Sequence, residues 1–303
     1  TPPVCRGERH RPIQLHRWTV GVGVILWPHV TDGPDRPGCH QTEAILLGEF
    51  RLGHQPSSTG AARRGAASSS ITAGPSSTAS GWGSSDGSTT TEALDPISPQ
   101  YLGDLIAWTA IGARTTESQT HREMSSGLST PVGFKNGTDG NVQVAIDGVN
   151  AAAAQHVFFG IDDFGHGALV ESAGNEDCHI ILRGGTAGPN FDDESVASAV
   201  AALDKAGLPA RVMIDCSHAN SGKDHIRQAQ VAAEIAASVR TRRAAGDTPL
   251  ISGVMLESFL EGGAQTLDTQ SPDAQPLIYG KSVTDKCMDW ESSARVLADL
   301  ARS

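Results

Sequence analysis

The chain has 303 residues, a net charge of −11 at neutral pH and a hydrophobic content of 38%. That length suits one large α/β domain or two smaller ones, and the acidic balance argues against nucleic acid or an anionic membrane as the main partner. Cys5, Cys39, Cys178, Cys216 and Cys287 are odd in number and form no CxxC pair, which argues against a disulfide framework and for a reducing, cytoplasmic setting.

The charge is uneven. Residues 1–91 hold eight Arg, no Lys and six Asp or Glu, so the acidity belongs to the remainder. Residues 1–56 read as an irregular segment of different origin, in which only 20–27 and 44–50 look locally strand-like or helical. The apolar run Trp18 to Val30 follows several arginines, but no small-residue cleavage site follows it and it is too short to span a bilayer. His10, His16, His29, Cys39, His40 and His54 lack a familiar ligand spacing. Residues 57–91 are rich in Ser, Gly, Ala and Thr, with Ile71 and Trp82 almost the only large apolar groups. Such a stretch cannot bury enough surface to offset its ordering entropy, which predicts a disordered linker.

From Glu92 the pattern changes to a repeating strand–helix alternation, and residues 92–303 read as one α/β domain. Thr91–Pro96 predicts a short strand, and the apolar spacing of Leu102, Leu105, Ile106 and Thr109 predicts a helix over 101–110. Ile111–Arg114 reads as a strand tip, Ser118 as the cap of a helix ending at Gly127, and Val132–Lys135 as a strand. A helix from Asn141 follows, then an inserted hairpin of 157–162 with 168–171. His179–Gly185 is a buried strand, and a helix starting at Asp192/Asp193 stops at Gly207. Arg211–His218 and Ile251–Glu257 are strands around a long helix of roughly 223–244. A last helix lies near 289–301. The six strands end in Glu92, Arg114, Lys135, Arg183, His218 and Glu257, and this alternation predicts parallel pairing with right-handed crossovers. Eight such units close a barrel; six do not.

Parallel strands deliver their C-terminal side chains to one face. Arg114, Lys135 and Arg183 there suit a phosphate or carboxylate ligand; the alternative is that each pairs with an acid such as Glu92, Asp95 or Glu117. His218, Glu257 and Asp285 offer a nitrogen and two carboxylates, a set suited to one Mn, Fe, Co or Zn ion, although a strand-end His can also be merely hydrogen-bonded. Cys178 and Cys216 read as core residues.

Several stretches resemble the class I 3-deoxy-D-arabino-heptulosonate 7-phosphate (DAHP) synthases. They are Glu-Ala-Leu-Asp-Pro-Ile-Ser-Pro-Gln-Tyr (92–101), Ile-Gly-Ala-Arg-Thr-Thr-Glu-Ser-Gln (111–119), Gly-Leu-Ser-Thr-Pro-Val-Gly-Phe-Lys-Asn-Gly-Thr-Asp-Gly (127–140), Cys-His-Ile-Ile-Leu-Arg-Gly-Gly (178–185), Met-Ile-Asp-Cys-Ser-His-Ala-Asn (213–220), Gly-Val-Met-Leu-Glu-Ser (253–258) and Tyr-Gly-Lys-Ser-Val-Thr-Asp (279–285). The resemblance runs from about Thr91 to the C-terminus. It implies a TIM (β/α)8 barrel that condenses phosphoenolpyruvate with erythrose 4-phosphate, the entry step of the shikimate pathway. It further implies Arg114, Lys135 and Arg183 as phosphoenolpyruvate ligands. His218, Glu257 and Asp285 become ligands of one divalent metal, and Glu92 is the residue that orients a water. An aromatic amino acid inhibitor would sit near Pro99, Gly127, Leu128 and Ser129, and an intact member would be a homo-oligomer.

The family's Gly-Pro-Cys-Ser-Ile-His-Asp and Lys-Pro-Arg-Thr-Thr stretches are absent upstream of Glu92; Gly74-Pro75-Ser76-Ser77 is only a faint echo of the first. This predicts an incomplete barrel of six units, with the first 90 or so residues a mistranslated, frame-shifted or wrongly joined segment. The competing reading is an inactive fragment that at most binds anions or associates with intact relatives. Rereading the nucleotide sequence in the other two frames tests the frame-shift; absence of both motifs from each frame excludes it.

Overall fold

The computed structural model describes residues 22–28, 42–46, 90–162, 164–267 and 275–303. The expected linker up to residue 89, the upstream His and Cys residues and Gly74–Ser77 lie outside the described residues. The strands are β1 (Val22–Pro28), β2 (Thr42–Leu46), β3 (Thr90–Glu92), β4 (Trp108–Ile111), β5 (Val132–Lys135), β6 (His156–Ile161), β7 (Gly167–Ser172), β8 (Cys178–Leu182), β9 (Val212–Asp215), β10 (Ile251–Ser258), β11 (Glu261–Ala264) and β12 (Lys281–Ser282). The helices are α1 (Ser98–Tyr101), α2 (Gln119–Ser126), α3 (Gln143–Ala153), α4 (Asp193–Lys205), α5 (Arg227–Ala245) and α6 (Trp290–Leu300).

The main sheet runs β2-β1-β10-β9-β8-β5-β4-β3. Its six strands β3, β4, β5, β8, β9 and β10 are all parallel, as the strand–helix alternation requires. The inserted hairpin is β6–β7, paired antiparallel. The sheet is open: β3 ends one side, and at the other β1 pairs antiparallel with β10, with β2 antiparallel beyond it. This is an incomplete barrel of six parallel units, with a hairpin on the β10 edge.

Both faces of the sheet are covered, and the strand period of two sorts the residues between them. One face carries Ile111, Val132, Phe134, Cys178, Ile180, Leu182, Val212, Ile214 and Leu256, which join helix residues such as Ile146, Val200 and Ile235 in the large core. Cys178 and Cys216 belong to that core, as the sequence suggested. The other face carries the smaller cluster Trp108, Ala110, Ile181 and Met213, with Met255 against it. Glu92, Lys135, Arg183, Asp215 and Glu257 have the same parity as this smaller cluster. They therefore continue its face at the strands' C-terminal ends.

Gly133 fixes how closely that face packs. A Cβ there would stand 2.6 Å from both Ile181 Cδ1 and Trp108 Cζ2, each on a buried side chain without room to withdraw. Gly133→Ala is expected to destabilise the chain by about 1–3 kcal/mol, read as a lower urea midpoint.

Helix ends follow local chemistry. Ser118 Oγ accepts from His121 N and Gly127 caps the C-terminus of α2. Asp192 accepts from Ser195 N at the start of α4, and Asp289 from Ser292 N at the start of α6. The helix expected over 101–110 is not formed. Instead α1 stops at Tyr101, a single 3-10 turn covers Gly103–Leu105, and β4 begins at Trp108. Leu105 is half exposed while Ile106 and Thr109 are buried, so the spaced residues share no single buried helix face, and pairing with β3 and β5 claims Trp108–Ile111 as strand. Strand β4 also ends before Arg114, which lies within a turn closed by Thr115 N and Thr116 N donating to Gly112 O. Among the described residues no helix is long and apolar enough to cross a membrane.

Candidate active site

Lys135, the last residue of β5, is buried at 4% exposure. Its Nζ donates to Glu92 Oε2 at 2.7 Å and lies 3.3 Å from Asp215 Oδ2. Burial alone would lower the ammonium's pKa. The Asp215 and Glu92 carboxylates outweigh that and hold it above its ordinary value. Gly112 makes the arrangement possible, since a Cβ there would stand 2.5 Å from Glu92 Oε1. Of the two readings left open for this lysine, pairing with Glu92 is the one the structure displays.

Asp215 ends β9 and is the hub of the site. Its Oδ2 also meets His218 Nδ1 at 2.9 Å, and its Oδ1 accepts from Ser217 N at 2.9 Å. Burial would raise its pKa, but Lys135, His218 and the Ser217 hydrogen bond hold its carboxyl far below the usual carboxylate range. Burial instead lowers the pKa of His218, and the Asp215 charge reverses this to a net rise.

His218 itself has φ of +49°, in the left-handed region. The turn is fastened by Lys223 N, which donates to His218 O at 2.7 Å. With Nδ1 engaged by Asp215 and Ser217, Nε2 remains and lies 3.7 Å from Glu257 Oε1. Glu257 near the end of β10 is held by Gln228 of α5, whose Oε1 accepts from Glu257 N at 2.8 Å. Asp285 comes from the exposed loop before α6.

Donor atoms of His218, Glu257 and Asp285 all lie within 4.8 Å of one another. One imidazole nitrogen and two carboxylates suit a divalent cation. Burial first, then the charges of Asp215 and Asp285, push the Glu257 carboxyl up to about 7 against the opposing pull of His218. A cation beside it would restore the carboxylate, so the residues fit such an ion. The imidazole's other nitrogen is already oriented by a carboxylate, an arrangement that steadies metal-binding histidines.

Arg183 follows β8 directly. It is 8% exposed, yet among the described residues its guanidinium has no acidic or hydrogen-bonding partner. Arg114 is exposed and likewise has no ion pair among the described residues. Among the described residues two of the three cations thus lack an acid, and the third, Lys135, has two.

The four residues expected near an inhibitor are less concentrated. Pro99 is buried on α1, and its neighbour Gln100 accepts from Ile161 N of β6 at 3.4 Å. Gly127 abuts the same strand, since a Cβ on it would stand 3.1 Å from Phe158 Cζ. Leu128 packs against the large core and Ser129 is exposed.

Asp215 and Gln228 escaped the sequence reading. The signal for Asp215 was present in the period-two pattern, which puts it on the same face as Met213 and three residues before His218. Gln228 carried none.

The DAHP synthetase I family model matches residues 66–298. The phospho-2-dehydro-3-deoxyheptonate aldolase of Corynebacterium glutamicum is 55% identical over 213 residues, 69% of this chain and 56% of that protein. The Phe-sensitive phospho-2-dehydro-3-deoxyheptonate aldolase of Escherichia coli K12 is 53% identical over 212 residues, 70% of this chain and 58% of that one. A solved phospho-2-dehydro-3-deoxyheptonate aldolase from Francisella tularensis SCHU S4 superposes with a TM-score of 0.65 at 47% identity, covering 71% of this chain and 60% of that chain. The chain thus spans somewhat more than half the length of the relatives it matches. By its family-model match, its identity to these proteins and its shared fold, the chain belongs to the DAHP synthetase I family.

Proposed function

We propose that this site condenses phosphoenolpyruvate with erythrose 4-phosphate and water to give 3-deoxy-D-arabino-heptulosonate 7-phosphate and phosphate. The observation that carries the reading is the shared face: a buried cation without an acid among the described residues, Arg183, and the Lys135–Asp215–His218 chain that leads to the His218/Glu257/Asp285 donor set. Arg183 and Lys135, with Arg114 at the rim, bind the phosphate and carboxylate of phosphoenolpyruvate. Lys135 does so while keeping a share of Asp215, because a wholly unpaired Asp215 would be costly to bury.

His218, Glu257 and Asp285 would hold one divalent metal ion, which when bound supplies Lewis acidity to the aldehyde carbonyl of erythrose 4-phosphate. The nucleophilic carbon of phosphoenolpyruvate forms the new bond to that carbonyl carbon. Water then adds at the carbon bearing the phosphate ester, and phosphate leaves. Glu92, released from Lys135 by the incoming anion, is placed to orient that water and accept its proton. Holding both anionic substrates against fixed charges in a buried site supplies proximity and charge stabilisation together.

The assay is phosphate release from the two substrates with Mn²⁺. Arg183→Ala is expected to weaken phosphoenolpyruvate by roughly 10–100-fold, the worth of one charge-assisted hydrogen bond. An effect confined to erythrose 4-phosphate would remove Arg183 from the phosphoenolpyruvate site. An aromatic amino acid inhibitor is proposed for the meeting of α1, the end of α2 and β6, around Pro99, Gly127, Leu128 and Ser129; the test is inhibition of that phosphate release by phenylalanine, tyrosine or tryptophan. A homo-oligomer is proposed for the native state, to be checked by light scattering.

A second reading, ligand binding without turnover, is favoured by one feature of the sheet. Strand β1 lies antiparallel on the free edge of β10, so the described residues wall the site with six parallel strands and leave the sheet open. Retained phosphate and Mn²⁺ binding without phosphate release would support it.

A further inference from the structure

Three carboxamides in the loops after β5, β8 and β9 have no part in the chemistry above, yet they fasten the backbone that carries Arg183. Asn220 Nδ2 donates to Leu182 O at 3.1 Å and to Asp215 O at 2.8 Å. Asn136 Oδ1 accepts from Arg183 N at 2.8 Å, and its Nδ2 donates to Gly184 O at 3.0 Å and Gly137 O at 2.8 Å. Asn190 Oδ1 accepts from Gly184 N at 2.7 Å, its Nδ2 donates to Asn136 Oδ1 at 3.2 Å, and its own N donates to Asn220 Oδ1 at 2.8 Å. The backbone on either side of the arginine is therefore held by three side chains. Asn136 and Asn220 are fully buried, and all four hydrogen-bonding positions of Asn136 are filled. Gly184 lets the loops close to this distance. It has φ of +71°, and a Cβ on it would stand 2.8–2.9 Å from Ala219 Cβ and from Asn220 N and Oδ1.

The need for such a clamp follows from the charges nearby. Arg183 is buried without an acid among the described residues, while Glu92, Asp215 and Glu257 occupy the same face of the sheet. A mobile backbone would let the guanidinium settle on one of these carboxylates and cancel its attraction for a ligand. Neutral carboxamides suit the task, because they both donate and accept without presenting a charge to Arg183. We propose that Asn136, Asn190 and Asn220 form a positioning network that keeps Arg183 unpaired, and so sets the affinity of the site for a phosphate or carboxylate group. This rests on the reading of Arg183 as an anion ligand.

Asn190 is the variant of choice, because it is half-buried in a loop and does not touch the metal donors. Calorimetric titration of the full chain with inorganic phosphate, and separately with Mn²⁺, reads the two arms of the site. Asn190→Ala is expected to weaken phosphate about tenfold while Mn²⁺ affinity stays within about twofold, because only the ordering of the cation is lost. Asn190→Ser, which disturbs packing less, should show the same split. Unchanged phosphate affinity would overturn the proposal. So would a parallel loss of phosphate and Mn²⁺ binding with a lowered melting midpoint, which would show support of the fold alone. A wild-type chain that binds no phosphate withdraws the anion site itself and this role with it, whereas a wild type that binds and a variant that matches it overturn only the positioning role.

Discussion

Asp215→Asn is expected to lower folding stability by about 3–5 kcal/mol, because it strips Lys135 of one of its two carboxylates while leaving the ammonium buried. The amide cannot replace the charge, and its nitrogen would face two donors, Lys135 Nζ and protonated His218 Nδ1. The pH dependence separates this from a packing defect. The Asp215 carboxyl is held far below its ordinary value in the fold, so its contribution is present above the unfolded pKa, near 3.9, and is lost as pH falls below it. Lys135 is held above its ordinary value, so its contribution is complete below about 10.4 and lost as pH rises through the folded pKa. The wild type should therefore show a stability plateau between those limits with an acid shoulder. The variant should lose most of the acid shoulder. Chemical melts at a series of pH values read both, and an unchanged shoulder would place the acid sensitivity elsewhere.

The second large effect concerns the metal. His218→Ala is expected to weaken Mn²⁺ by more than about 100-fold, since even groups that only steady a ligand are worth about 10–100-fold. Asp215→Asn should fall in that smaller range, because it leaves Nε2 in place and removes the carboxylate at Nδ1. The ordering of the two variants matters more than either value. Equal losses would mean that Asp215 itself coordinates the ion, and a negligible loss in His218→Ala would remove the imidazole from the site.

Much of this was legible in the residues, for a physical reason. Parallel strands buried on both faces leave a strong apolar signature, and Val132–Lys135 and the β6–β7 hairpin emerged where the pattern put them. The strand-end charges could be read for the same reason, because a charge closing an apolar run has to serve either a partner or a ligand. Two limits were equally physical. Helical spacing over 101–110 misled because apolar residues on an exposed connection satisfy the same arithmetic as a buried stripe; Tyr101 and Leu105 face solvent. The pairing of Lys135 with both Glu92 and Asp215 joins residues 43 and 80 positions away in the chain, and only strand register brings them together. The carboxamides around Arg183 were invisible for that reason too. A loop asparagine looks the same whether it caps a turn or holds a neighbouring strand end.

Product identity is the most direct measurement of what the site does. The purified chain is incubated with Mn²⁺, phosphoenolpyruvate and erythrose 4-phosphate, and the products are separated by mass. The predicted result is a seven-carbon monophosphate with one phosphate released per phosphoenolpyruvate consumed, absent from His218→Ala. Binding of both anions and Mn²⁺ with no new carbon–carbon bond would contradict it.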